Sequence, residues 1–268
     1  MKLKRYLGKK LRQHKKRVLL DSFNGDGDGS HIRFEIVDYR LPAIFRRSTR
    51  TIEFRNNGSY IYSTVYLSKH KHFQPAYPHM QRAIDAYFRK SPLESALVLG
   101  CAGCTIPRFL THHYKNCSVT GIEYSQQFVD IARTYFIDKV MQPRFELIRD
   151  DAFSYVDQQL GQKTFDLVYT DIYVGDNIHP KVYTQEFAQQ LFDLTSEGGA
   201  ALINSFRIPL ERIKDFAHSI QAPFGTIYII EHYRKYFIFL LRTNDSERLA
   251  AFEKSLPKYT EINDRITR

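Results

Sequence analysis

The sequence predicts an α/β protein: a doubly wound, mostly parallel sheet with an antiparallel hairpin at one edge, preceded by a small N-terminal β unit. Three observations predict it. From Leu93 onward, apolar runs of strand length alternate with amphipathic helical stretches, which implies parallel strands covered on both faces. Before that point HIRFEIVDY, RTIEFR and SYIYSTVYL read as strands with no helix between them. Late in the chain, TIYIIEHY and YFIFLLRT stand close enough to form a hairpin.

The elements follow in order. Residues 1–20 read as a basic tail. Its first 17 residues hold nine of the 39 Lys and Arg residues and no acid, so the net charge of +10 falls to +1 without them. Such a tail suits nucleic acid or an anionic surface, although charge blocks at chain ends are commonly just solvated. DSFNGDGDGS reads as a turn-rich linker opening a β unit over 21–80, with NNG as a hairpin turn inside it. MQRAIDAYFRK reads as a helix. The main domain, 81–268, has strands SALVLG, SVTGIE, FELIRD, FDLVYTD and GAALINSF, separated by helices IPRFLTHHY, SQQFVDIARTYF, AFSYVDQQL and TQEFAQQLFDL. In the second helix Phe128, Ile131, Ala132 and Tyr135 keep 3-4 spacing on one face. ERIKDFAHSIQ and DSERLAAFEKSL are the last helices.

Composition narrows the class. The 268 residues include 20 Phe, 18 Tyr and no Trp, so the core is expected to be aromatic-rich. No run approaches the roughly 18 apolar residues of a membrane helix, which argues against an integral membrane protein. Three cysteines, an odd and sparse count, point to a reducing compartment and a cytoplasmic location.

In a doubly wound sheet, ligands bind at the carboxyl ends of the strands. Gly100 and Gly103, with Ala102 between them, occupy the turn after the first main-domain strand, where small residues let a ligand approach the backbone. Glu123 ends the second strand, 23 residues after Gly100, where an acid commonly holds ribose hydroxyls. Asp150 and Asp151, followed by Ala152, end the third strand near the expected adenine. Asp171 ends the fourth, at the mouth of the same cleft.

The glycine turn also carries Cys101 and Cys104 at C-x-x-C spacing. Zinc would need His112 or His113 and Cys117 as well, and Cys117 falls beyond a helix, roughly 15–20 Å away. A redox pair leaves the series of acids at strand ends unexplained. The cysteines therefore read as small-residue filler, and no metal is expected. Asn24, Asp26, Asp28, Gly29 and Glu35 match a calcium loop without its flanking helices. His70, His72 and His79 lack an accompanying acid or cysteine and read as a basic lid loop.

From about Tyr77 to Phe206, half the chain, these residues resemble the spermidine synthase family, aminopropyltransferases on the Rossmann-like class I S-adenosylmethionine-dependent methyltransferase fold. YPHM, Tyr77 to Met80, corresponds to the family's tyrosine-x-glutamate-methionine segment. GCAGC corresponds to its glycine-rich turn, GIEYS to its second-strand acid, DDAF to its adenine segment, and DIYVGD to its catalytic D-S-S-D. PKVYTQEFAQQL and SEGGAALIN follow in the family's order.

The resemblance implies a co-substrate, S-adenosylmethionine or its decarboxylated form, and no metal. It implies that Gly100, Ala102, Gly103, Glu123, Asp150, Asp151 and Ala152 hold the donor. Asp171 would orient or deprotonate a small-molecule acceptor, an amine or another nucleophile, and Tyr77 would line its pocket. The β unit would serve as a lid and in oligomerisation, here as a homodimer.

The departures are in the acids: Gly103 replaces the loop aspartate, His79 the glutamate, Pro78 its neighbouring glutamine and Val174 the second aspartate, with Asp176 two residues on. Fewer acids weaken a polyamine site and remove repulsion against a donor carboxylate. The GCAGCTIPR loop also resembles spermidine-synthase-like proteins regarded as methyltransferases. Methyl transfer is therefore the first expectation. Aminopropyl transfer to a di- or polyamine, a non-catalytic nucleoside-binding protein and a nucleic-acid modifying enzyme are the alternatives.

Overall fold

The computed structural model describes residues 16–27, 30–41, 48–55, 59–68, 73–174, 177–206, 208–220, 224, 226–232, 235–256 and 259–262. Four antiparallel strands come first, β1 (Lys16–Gly27), β2 (Ser30–Arg40), β3 (Thr49–Arg55) and β4 (Ser59–Tyr66), paired in sequence order. Period-2 alternation sends Phe34, Ile36, Ile52 and Phe54 to one buried face.

β1 corrects the linker reading of DSFNGDGDGS. Ser22 and Phe23 pair with Glu35 and Phe34, and Phe23 stacks on Phe34 with centroids 5.0 Å apart. A neighbouring strand and one aromatic pair hold a Gly/Asp-rich segment extended where its own propensity would not. Of the calcium-loop residues, Glu35 instead ion-pairs with Arg17 at 2.5 Å. Asp28, Gly29, His70, His72, Asp176 and residues 1–15 of the basic tail lie outside the described residues.

After β4 follow α1 (Pro78–Tyr87), β5 (Ser95–Leu99), α2 (Thr105–His113) and β6 (Ser118–Glu123). Next come α3 (Gln126–Ile131), continued by a π-turn at Ala132–Phe136, then β7 (Phe145–Arg149), α4 (Ala152–Gln159) and β8 (Phe165–Thr170). A short hairpin, β9 (Tyr173–Val174) and β10 (Asn177–Ile178), leads through a 3-10 turn at Pro180–Tyr183 to α5 (Gln185–Leu194) and β11 (Thr195–Ser205). The chain continues with α6 (Leu210–Ser219), β12 (Thr226–His232), β13 (Lys235–Leu241), α7 (Ser246–Glu253) and β14 (Tyr259–Ile262).

The large sheet has the order β14-β12-β13-β11-β8-β5-β6-β7. The five strands β11, β8, β5, β6 and β7 are parallel, and β13, β12 and β14 each pair antiparallel with their neighbours. The expected late hairpin is β12–β13, with β14 added outside it. The mixed polarity of YTEI gave no strand signal for that last element. No helix among the described residues is long and apolar enough to cross a membrane.

Central strands are buried on both faces. Leu97 and Leu99 of β5 pack to one side, while Ala96 and Val98 pack to the other, where the N-terminal sheet also sits. An aromatic cluster joins that sheet to α3. Tyr62 stacks on Phe128 at 5.3 Å, and Phe34 meets the same ring edge-on at 5.3 Å. Arg50, paired with Asp38 at 2.7 Å, also donates to the Tyr135 carbonyl at 2.7 Å.

The strand order reverses at β5, which has β6 on one side and β8 on the other. Beyond β8 the Asp171 amide donates to the Leu99 carbonyl at 2.8 Å, extending the ladder by one residue. The Asp171 carbonyl oxygen then fills the space a Cβ on Gly100 would need, and Gly100 has φ +86°. Gly100→Ala should therefore cost at least about 2 kcal/mol in urea unfolding, through clash and strain together. Gly161→Ala is the control: φ is +71° but nothing lies within 4 Å, so strain alone should cost about 1 kcal/mol. Equal losses would show that the close approach is not what demands glycine at residue 100.

Candidate active site

A cavity of about 680 Å³ opens at the carboxyl ends of β5, β6 and β8, a size typical of small-molecule sites. Phe54, Ile61, Tyr62 and Ser63 of the N-terminal sheet roof it. Its mouth carries exposed apolar side chains from three separate segments: Ile61 at 66%, Tyr124 at 72% and Val174 at 51% exposure.

One end is built on the glycine turn. The chain passes through Gly100, Ala102 (φ 41°) and Cys104 (φ 54°), a left-handed path that strains the two residues with a Cβ. Backbone amides in such turns converge on anions. Glu123 supplies the anion: its Oε2 accepts from the amides of Cys101 at 3.2 Å and Ala102 at 2.9 Å, and its Oε1 accepts from Ser125 at 3.0 Å. Asp151 also serves the backbone, capping α4 by accepting from the Ser154 amide at 2.9 Å. Beside it lie Ala152 and Phe153, and the His179 ring packs 4.8 Å from Phe153.

Seven residues singled out from the sequence line this one cavity: Tyr77, Gly100, Ala102, Glu123, Asp151, Ala152 and Asp171. Two do not. Gly103 faces the roof, and a Cβ there would lie 2.6 Å from Ser63 Oγ and 2.7 Å from Ser63 Cβ. The free space expected beside the donor at this glycine is therefore filled by β4. Asp150 turns its carboxylate back to accept from the Asp151 amide at 2.8 Å.

The C-x-x-C thiols are buried and free, and burial raises the pKa of both, so neither is a thiolate. Cys101 packs where a Cβ on Gly121 would stand, 2.6 Å from its sulfur. The other nominated zinc ligands are engaged elsewhere: His112 with Asp138 at 3.1 Å and His113 with Asp85 at 2.6 Å. Among the described residues no group of three His, Cys, Asp or Glu side chains is placed to hold a metal ion.

The other end centres on Asp171. Its Oδ1 accepts from Asn204 Nδ2 at 2.8 Å and its Oδ2 from the Tyr169 hydroxyl at 3.4 Å. Burial pushes this carboxyl up to about 7. The two hydrogen bonds restrain the rise, and the Glu123 charge adds to it. Tyr77 enters α1 in a left-handed conformation at φ 53°. Burial raises its hydroxyl pKa and the Asp171 charge raises it further, against a hydrogen bond with Asn204. Tyr173, also on the wall, donates to the Phe206 carbonyl at 3.3 Å. A carboxyl that exchanges its proton near neutrality can take one from an incoming nucleophile, and aromatic walls favour a cationic one.

Sequence reasoning missed Asn204, Tyr169, Tyr173 and His179, and it named no residues for the lid it expected from the β unit, which are Phe54, Ile61, Tyr62 and Ser63. Asn204 had a signal: an amide in the apolar run GAALINSF, 2% exposed in the structure, needs a buried partner.

Asp171 should titrate with a midpoint near 7 in carboxyl-carbon NMR of the free protein. Glu123→Gln should lower that midpoint by removing a like charge, and Asn204→Ala should raise it. The folded value lies above the unfolded value of about 4. The group's contribution to stability is therefore complete below about pH 4 and is lost as pH rises through about 7. Asp171→Asn should flatten that slope, and an Asp171 midpoint near 4 would refute the account of its burial.

No protein-family profile and no curated protein sequence matches the chain. Solved structures do match. A probable spermidine synthase from Corynebacterium glutamicum superposes with a TM-score of 0.66 at 17% identity, over 91% of this chain and 91% of its own. Spermidine synthase from Thermotoga maritima gives 0.59 at 17% identity, over 92% and 82%. Human methyltransferase-like protein 13, in complex with SAH, gives 0.53 at 17% identity, over 69% and 90%. The chain thus has the spermidine-synthase-like class I methyltransferase fold that its sequence motifs implied.

Proposed function

We propose that this protein is a transferase that uses an S-adenosylmethionine-type sulfonium donor, with Asp171 accepting the proton of the acceptor. The observation that carries this reading is a desolvated carboxyl, held by Asn204 and Tyr169, at the switch point where the glycine turn and Glu123 meet the same cavity. The likeness of fold supports it, since solved neighbours hold SAH and the transition-state analogue AdoDATO.

Glu123 would receive the ribose hydroxyls and Asp151 the adenine amino group, each keeping lone pairs beyond those its backbone partners use. The acceptor's lone pair forms a bond to the carbon on the donor sulfur. The carbon–sulfur bond breaks, its electrons stay on sulfur as a neutral thioether, and the acceptor's proton passes to Asp171. Alignment and proton removal are the protein's share of this work.

Methyl transfer is the finer reading. It is favoured by residue 103, where β4 leaves no space for the acid that would hold an aminopropyl ammonium. A second reading, aminopropyl transfer from the decarboxylated donor, is favoured by the lining. Among the described residues it holds Glu123, Asp151 and Asp171 but no Lys or Arg to pair with a donor carboxylate.

Calorimetry of intact against decarboxylated donor decides between them. Tighter binding of the intact donor is expected, and tighter binding of the decarboxylated donor with putrescine consumed would reverse the order. Asp171→Asn should keep donor affinity within several-fold and slow transfer by about 10²–10⁴. An unchanged rate in that variant would remove Asp171 from the mechanism. Donor binding by the wild type with no transfer to any acceptor would instead indicate a nucleoside-binding protein.

A further inference from the structure

His179 lies outside the motifs that carry the family likeness, yet its side chain lines the cavity at the Asp151 end. It precedes the 3-10 turn and caps it: Nδ1 accepts from the Lys181 amide at 3.2 Å. A ring nitrogen that accepts keeps its lone pair, so the neutral ring carries its proton on Nε2. The backbone therefore fixes His179 as a donor. Its ring is tilted 47° against Phe153 at 4.8 Å. Phe153 is itself held edge-on by Phe187 at 5.0 Å and covered by Lys181 Nζ at 5.3 Å. A rigid aromatic face and an oriented N–H donor thus stand together, two residues along from Asp151.

We propose that His179 is a specificity-determining residue for the nucleobase, its Nε2–H donating to a ring nitrogen of a purine held against Phe153. This rests on the nucleoside-donor reading above and assigns the base-recognising group. Asp151 accepts and therefore reads an exocyclic amine. His179 donates and therefore reads a ring acceptor. Together they select adenine by complementary polarity at two points. His179 takes no part in the transfer itself.

The test is calorimetry of the full chain with 5′-methylthioadenosine and its 1-deaza, 3-deaza and 7-deaza analogues, each lacking one ring acceptor. Wild-type protein should bind one of the three about 5- to 10-fold more weakly than the parent, the usual effect of one lost hydrogen bond. His179→Asn retains a capping oxygen for the Lys181 amide but brings its donor short of the base. It should bind the parent about 5- to 10-fold more weakly and no longer discriminate against that analogue. A merely structural histidine would lower the unfolding midpoint without touching the discrimination. Binding of all three analogues by the wild type within twofold of the parent overturns the proposal, as does unchanged discrimination in His179→Asn. If methylthioadenosine fails to bind the wild type at millimolar concentration, the donor reading itself falls and takes this one with it. Loss of the analogue effect alone leaves that reading standing.

Discussion

The Asp171 carbonyl occupies the space that a side chain at residue 100 would need, and this contact between the ends of β5 and β8 sets the geometry around the cavity. Once the Asp171 amide has joined the Leu99 carbonyl, the chain after β5 cannot continue straight. It leaves through Gly100 at positive φ and stays left-handed at Ala102 and Cys104 before α2 begins. The turn brings the amides of residues 101 and 102 onto one point, and Glu123, at the end of the adjacent strand, meets them there. A steric exclusion between two backbones thus dictates where a carboxylate must lie.

The same contact brings two acids into one cavity with unequal support. Glu123 has three backbone donors, whereas Asp171 has one amide and a longer bond from a hydroxyl. Burial raises the Asp171 carboxyl, its two hydrogen bonds only restrain the rise, and the neighbouring Glu123 adds a smaller push in the same direction. Among the described residues, the non-glycine positions with positive φ are Tyr77, Ala102 and Cys104, all in or beside the cavity wall. Strain concentrated in this way is tolerated where the surroundings over-determine the backbone, as they do at ligand sites.

The alternation of strands and helices after Leu93 was legible because the central strands β5 and β8 are apolar on both faces and the helices on one. Strand ends were legible because Gly100, Glu123, Asp151 and Asp171 punctuate apolar runs. Most of what failed depended on partners distant in sequence. β1 is extended because β2 lies beside it, and Gly103 is small because Ser63, forty residues upstream, presses on it. Asn204 reaches Asp171 from the neighbouring strand. Sequence position carries such relations only once strand order is known. Tyr169 and His179 meet partners two residues away, but through side-chain directions that the spacing alone does not fix.

The roof and floor of the cavity come from different stretches of chain. Phe54, Ile61, Tyr62 and Ser63 cover it, while residues 100 to 102, 105 to 107 and 122 to 124 form the bed beneath. Substitutions in β3 and β4 alter what rests on the bed without entering the strand crossing that shapes it. In evolutionary terms the two parts can drift at separate rates. A lineage could change what the roof presents to the cavity while the turn and the acids beneath it stayed fixed. The exception is Ser63, which touches both Gly103 and, at 2.7 Å, the Thr105 hydroxyl. At that position, change in the roof is felt in the turn below, and divergence there should be the slowest.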